Sequence, residues 1–276
     1  MSAQMVYGPE DTAAPFSCPS PAIWGGFPSN LALADDPSIG FLFHEDFRAF
    51  PKNATNTTLP VMNWNVFLSD GATMLSAGIA NRSAINLLSD GDNEGAILVL
   101  GSASIQVTRG SKRKVAFETR FKSSTIADTK HGIFAGLHED LIPTATSVLA
   151  ANGTLTDENF IGFHRLEGDG DKIDIVYKAD GQTQQSFTDA LTLVADTFVK
   201  VGFYFDGDDT LKFYLNGAEY TTARLGATAL TAATFPSDVN LTPVFGMLNA
   251  TASSPGSATF DWIRFGWTAA DADGYA

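Results

Sequence analysis

Cysteine is almost missing from this chain. Cys18 is the only one in 276 residues, so no intrachain disulfide can form. Histidine is scarce too. His44, His131, His138 and His164 are the full set, and none has the HExxH spacing of a helical zinc site. Positive charge is thin: 17 Lys and Arg stand against 31 Asp and Glu, a formal net charge of −14. So acidic a surface repels nucleic acid and anionic lipid, and neither is expected as a partner. No apolar run approaches the roughly 18 residues that span a bilayer. The N-terminus shows neither a basic n-region nor an apolar h-region. The expectation is therefore a chain without a signal peptide, made in a reducing cytoplasm. On that expectation the Asn-x-Ser/Thr sequons at Asn53, Asn56, Asn81, Asn152, Asn240 and Asn249 are by-products of a Ser- and Thr-rich sequence.

Catalytic signatures are missing as well. There is no G-x-S-x-G elbow, P-loop or dinucleotide fingerprint. His138-Glu139-Asp140 places acids beside a histidine, but it leads into a loop-like segment, 140–159, and reads as a strand cap. What the chain does have is 44% hydrophobic residues, only 17% charged residues and 21 Phe. That is a globular composition, and so many Phe suit sheet faces better than helices. A single core of this length buries about 75% of the unfolded surface without staples.

Residues 1–40 differ from the rest. Pro9, Pro15, Pro19, Pro21, Pro28 and Pro37 punctuate them, excluding a long helix or a central strand. Yet Phe16, Trp24, Phe27 and Leu31 sit among the prolines. An extended arm that buries these side chains is expected, either on its own sandwich or on a neighbouring subunit. Residues 41–276 are expected to form one domain, because the apolar period there becomes two. Phe41, Phe43 and Phe47 open it. Trp64, Val66 and Leu68 alternate, which marks Trp64 as core. Ile97 and Val99, then Ile105 and Val107, read as short strands. Val115, Phe117, Thr119 and Phe121 alternate with Ala116, Glu118, Arg120 and Lys122, the pattern of a half-buried strand. On its polar face Glu118 reads as a solvated ion-pair partner. The basic run 109–114 (RGSKRK) reads as a solvated turn, with contact to an acidic partner as the sharper alternative. Residues 187–195 suit either a helical turn or a strand.

The most specific stretch is 197–220, TFVKVGFYFDGDDTLKFYLNGAEY. Val199, Val201, Phe203 and Phe205 share one face. A DGDD turn follows, then Leu211, Phe213 and Leu215 alternate. Asn216-Gly217 predicts a type I′ turn, where both central residues take positive φ. This meander resembles laminin-G and concanavalin A-like domains, with their "Y-D-G" strand end followed by "L-x-x-Y-x-N/D-G". The closing 260–265 (FDWIRF) resembles the last strand of that fold, which returns to pair near the domain start. The resemblance implies an all-β, antiparallel two-sheet jelly-roll sandwich.

Glycanases on this fold carry carboxylates alternating on one strand, about 5 to 5.5 Å apart. The nearest stretch is 169–177 (DGDKIDIVY), where Asp169 and Asp171 share a parity and Asp174 faces away from Ile173 and Ile175. No Glu completes the set, so no catalytic residue and no enzymatic activity are expected. The oxygen-rich turns at 169–171 and 206–209 are candidates for calcium, which some laminin-G relatives bind. Neither has the EF-hand ligand order, and no cofactor or metal site is expected. Trp24, Trp64, Trp262 and Trp267 are the candidates for a sugar platform. The chain as a whole is similar to concanavalin A-like proteins of tailed-phage particles. That implies a virion structural protein, a capsid decoration or cement protein. It would be made in the host cytoplasm, form homo-oligomers and bind the major capsid protein or other virion proteins through Phe16, Trp24, Phe27 and Leu31. The alternatives are a lectin-like module that binds a surface glycan and, second, a glycoside hydrolase on the same fold.

Overall fold

A computed structural model describes residues 18–47, 57–61, 63–69, 72–79, 82–89, 91–101, 105–127, 131–139, 148–150, 153–249 and 256–269. Its strands, in chain order, are β1 (Gly40–Glu45), β2 (Thr57–Val61), β3 (Trp64–Leu68), β4 (Thr73–Ile79), β5 (Arg82–Ser89), β6 (Glu94–Leu100), β7 (Val115–Ser123) and β8 (His131–His138). They continue as β9 (Phe160–Arg165), β10 (Lys172–Lys178), β11 (Gln185–Thr192), β12 (Val199–Phe205), β13 (Leu211–Leu215), β14 (Ala218–Glu219), β15 (Thr242–Asn249) and β16 (Gly256–Thr268). Sheet A has the order β14-β13-β12-β7-β16-β5-β4, with β1 also on β16. Sheet B has the order β11-β10-β9-β8-β15-β6-β3-β2. Every named pair is antiparallel. The chain is an all-β jelly-roll sandwich of the concanavalin A-like kind.

Period-two patterning explains why two sheets close on each other. Phe117 and Phe121 of β7, Phe203 and Phe205 of β12, Phe213 of β13, and Phe260 and Phe265 of β16 all point inward. They meet Trp64, Leu98, Ile133, Phe163, Ile175 and Phe245 from sheet B. Phe245 and Phe260 pack across the gap with ring centroids 4.5 Å apart. Each such burial contributes about 1.5–3 kcal/mol. The long β16 organises sheet A. Its 263–268 half pairs with β1 and its 256–260 half with β5, while β7 holds the opposite edge. The last strand therefore does return to the first. Asn216 and Gly217 have φ of 52° and 84°, as the turn pair requires. Residues 185–192 form strand β11 rather than a helical turn. Ile105 makes only an isolated bridge to Leu241.

β7 departs from the half-buried reading: its first five residues are all buried. The cause is the N-terminal segment. Helix α1 (Pro21–Trp24), with Pro at its start, and helix α2 (Asn30–Asp35), capped by the Ser29 hydroxyl accepting from Ala32 N, make two short helical turns. The first lies on the outer face of sheet A, where Ile23 and Trp24 pack with Ala116 and Tyr214. Glu118 lies beneath it, 1% exposed, so it is not a solvated ion pair. Its carboxylate accepts from Ser20 N at 2.9 Å, Ser20 Oγ at 2.5 Å and Trp24 Nε1 at 2.8 Å. Lys200 Nζ is 4.0 Å away and donates to Cys18 O and Ser20 Oγ. Arg264 lies 4.5 Å over the Trp24 ring. Burial pushes the Glu118 carboxyl above its ordinary value, against the lowering pull of Ser20, Lys200 and Trp24.

Candidate functional site

The outer face of sheet B is the surface on which apolar, aromatic and titratable side chains converge. Phe134 of β8, Phe160 of β9, Val176 of β10, Val244 and Leu248 of β15, and Ile97 and Val99 of β6 form one buried cluster there, separate from the core. Glycines share the same parity. Gly136 pairs with Gly162 and Val244, and Gly246 pairs with Phe134 and Ile97. A Cβ on Gly162 would stand 2.9 Å from Phe134 Cε2, so the missing side chain is what lets that ring lie down.

A hairpin covers this floor. Its legs are 148–150 and 153–156. They are joined by an isolated Leu149–Leu155 bridge and by Ala150 N donating to Thr154 O and Thr156 N to Val148 O. Val148 and Leu149 are buried in the outer cluster and Leu155 packs on it. Two such burials contribute about 3–6 kcal/mol. At the far end Gly153 (φ +64°) meets Gly132 backbone to backbone. A Cβ on Gly132 would lie 2.7 Å from Gly153 Cα. There His164 Nε2 donates to Gly153 O at 2.7 Å. The near end is tied down differently. Asp157 holds Lys178 and accepts from Gly181 N. Asn159 donates through Nδ2 to Glu139 at 2.7 Å and accepts from Asp180 N at 3.0 Å. The six residue steps from 153 to 159 reach about 20 Å, the length of β9. The hairpin is a strap laid along that strand.

Electrostatics differ between the two ends. His138, stacked on Phe160 with centroids 6.2 Å apart, is pushed down by burial to about 3. His164 is lowered by burial to about 4, the bond to Gly153 pulling the other way. Both are neutral at pH 7. Asp174 pairs with His164 across β9 and β10 and accepts from Asp189 N at 2.9 Å. Burial first, then the neighbouring Asp169 and Asp189 charges, raise its carboxyl against the Asp189 amide. Asp157, beside Lys178, is lowered. A half-buried carboxyl raised above its ordinary value and next to two further carboxylates is a candidate functional group.

The residues singled out in the sequence scatter. Trp24 is buried on the chain's own sheet A and Phe27 is half-buried, 6.2 Å from Tyr204 ring to ring. Leu31 lies in α2, and Phe16 is outside the described residues. Trp64 is core and Trp262 is buried, with the His44 ring 6.1 Å away. Asp171 pairs with Lys172 at 3.1 Å on the surface. The basic run finds its acidic partner inside the chain: Arg109 meets Asp209 at 2.5 Å and Lys112 meets Asp208 at 2.7 Å. Asp206 meanwhile accepts from Asp208 N and Thr210 N. Among the described residues no cluster of three His, Cys, Asp or Glu is placed to hold a metal ion. Nor does any described strand carry three alternating carboxylates. The sequence reading missed His164, Asn159 and the glycine lane. The signal for the lane was glycine alternating with large apolar residues in HGIFAGLH, FIGFHR and TPVFGMLN.

No family model and no curated protein matches the chain. Solved structures do. The GH16 protein of a Bacteroides ovatus mixed linkage glucan PUL, in complex with its product, gives a TM-score of 0.52 at 10% identity, covering 81% of this chain and 99% of that one. An endo-1,3-β-glucanase from Streptomyces sioyaensis gives 0.51 at 13% identity, covering 88% and 100%. A β-1,3-glucanase from Mycobacterium marinum gives 0.51 at 11% identity, covering 81% and 97%. The expectation of a protein without enzymatic activity is overturned by these neighbours. Glycoside hydrolases share the fold, so a missing sequence motif does not remove catalysis from this scaffold. None of the three is a virion protein, and they lend the capsid reading no support. What they share with this chain is the concanavalin A-like sandwich.

Proposed function

We propose that this chain is a glycan-binding sandwich whose ligand, a β-glucan-like polysaccharide, lies along the outer face of sheet B. The observation that carries the reading is that face itself: an aromatic and glycine floor, roofed by Val148 and Leu149 of the hairpin and bordered by Asp174 and His164 at one end and by Glu139, Asn159 and Lys178 at the other. Flat apolar floors suit the faces of sugar rings, and the polar ends suit their hydroxyls. The glucan-acting neighbours supply the ligand class. Isothermal titration with laminarin and mixed-linkage β-glucan tests it. Saturable binding that weakens in Phe160→Ala supports the reading, and no heat with either polymer from the parent or from Leu149→Ser ends it.

A second reading, glycoside hydrolysis, is favoured by Asp174, whose raised carboxyl stands beside Asp169 and Asp189. Release of reducing ends from either glucan that falls at least 100-fold in Asp174→Asn supports it. Unchanged turnover in that variant removes Asp174 from the chemistry.

A further inference from the structure

The space between the two sheets closes at one end in a polar layer. Ser89 of β5, Glu94 of β6, Ser123 of β7, His131 of β8 and Asn249 of β15 share the core-facing parity of Leu87, Ala96, Phe121, Ile133 and Met247. Sheet B sets three of them side by side, because Asn249 pairs with Glu94 on one flank and with His131 on the other. Ser89 and Asn249 are fully buried.

The bonds of this layer converge on Gly91. Its carbonyl accepts from Asn249 Nδ2 at 2.9 Å and from Ser89 Oγ at 3.4 Å. The Glu94 carboxylate lies against the same residue, where a Cβ on Gly91 would overlap its Cδ and both oxygens. Donors are short in this corner. The Ser89 hydroxyl and the Asn249 amide group both turn to Gly91 O. Asn249 Oδ1, also buried, accepts from no group among the described residues. His131 Nε2 is engaged by Ser123 Oγ at 2.9 Å instead. A buried amide oxygen without a donor calls for an ion or a water.

We propose that Ser89, Gly91, Glu94 and Asn249 form a site for a monovalent cation, sodium or potassium, which links the end of β5 in sheet A to β6 and β15 in sheet B. The inference is independent of the glycan reading, since the corner lies between the sheets. An ordered water would bring two protons and no charge. A cation meets the amide, hydroxyl, carbonyl and carboxylate lone pairs together and offsets the carboxylate. Such oxygen donors suit hard cations. Calcium affinity rises with the number of charged ligands. This corner holds one among the described residues, because Asp92 is exposed and accepts from Asn93 Nδ2.

The test exchanges choline chloride for sodium, potassium or calcium chloride at constant ionic strength and reads the urea midpoint. A site half-filled at about 10 mM raises the folded-to-unfolded ratio about 16-fold at about 150 mM cation. That rise is expected in sodium or potassium for the parent, and its loss in Glu94→Gln and Asn249→Leu. Equal midpoints in choline, sodium and potassium overturn the proposal and leave the corner to a water. Stabilisation by calcium alone overturns the monovalent class. A sodium or potassium effect that survives both substitutions places the ion elsewhere and overturns the site. Should neither variant fold, rubidium soaked into crystals of the parent locates the ion. An anomalous peak in contact with Asn249 Oδ1 supports the site, and a peak only elsewhere overturns it.

Discussion

Replacing Glu118 by alanine leaves the donors gathered on it without their acceptor. Ser20 N, Ser20 Oγ and Trp24 Nε1 all point at this carboxylate, and Lys200, itself only 4% exposed, loses its partner at 4.0 Å. Removing one member of a buried charge pair costs about 3–5 kcal/mol. Glu118→Gln also removes the charge facing Lys200 but keeps the shape and one acceptor oxygen, so it retains about 1–2 kcal/mol of hydrogen bonding that the alanine loses. The difference of about 1–2 kcal/mol between the two variants is the quantity to measure. Urea denaturation with a common m-value gives it directly. Lys200→Met added to Glu118→Ala removes the orphaned ammonium and recovers part of the loss. The N-terminal segment also detaches, so limited proteolysis cuts between residues 18 and 39 in Glu118→Ala and not in Glu118→Gln. Equal stability of Glu118→Ala and the parent within 1 kcal/mol would refute the account of the clamp.

Other outcomes follow from the same structure. His138, held neutral at about 3, takes up no proton in the native state until far below 6.5, whereas the unfolded chain does so at once. Its contribution to stability is therefore intact above pH 6.5 and is lost progressively down to about 3. His138→Phe removes that slope, so the gap between parent and variant narrows or inverts by about 2 kcal/mol from pH 7 to pH 5, as read from urea midpoints. Gly217→Ala forces a side chain into φ +84° and lowers stability by about 1–2 kcal/mol; a smaller loss would mean the turn relaxes. Gly162→Val drives a branched side chain into Phe134 and the neighbouring strand. It lowers the thermal midpoint by several degrees, equivalent to about 1–3 kcal/mol of overpacking.

Much of the sandwich was legible because period-two alternation and turn chemistry are local. The 197–220 meander needed only Val199 to Phe205, Leu211 to Leu215 and Asn216-Gly217 to declare itself, and each landed in its strand or turn. Glu118 was not legible. Its alternation is that of a solvent face, and burial comes from Ser20 and Trp24, some hundred residues away in sequence. The site hid for the same reason. Sheet B is covered on both faces, so β8 and β9 read as continuous apolar runs. A strap that returns over its own strand has no periodicity to betray it. His164 and Asp174 become one site only through the β9–β10 register.

The most direct measurement is a crystal structure of the strap-weakened Leu149→Ser chain grown with a laminari-oligosaccharide. Sugar rings lying over Phe134, Phe160 and Val176, with hydroxyls against Asp174 or Asn159, are the predicted result. An unoccupied sheet B face at saturating oligosaccharide, or sugar bound on sheet A instead, would contradict the assignment of the ligand to this face.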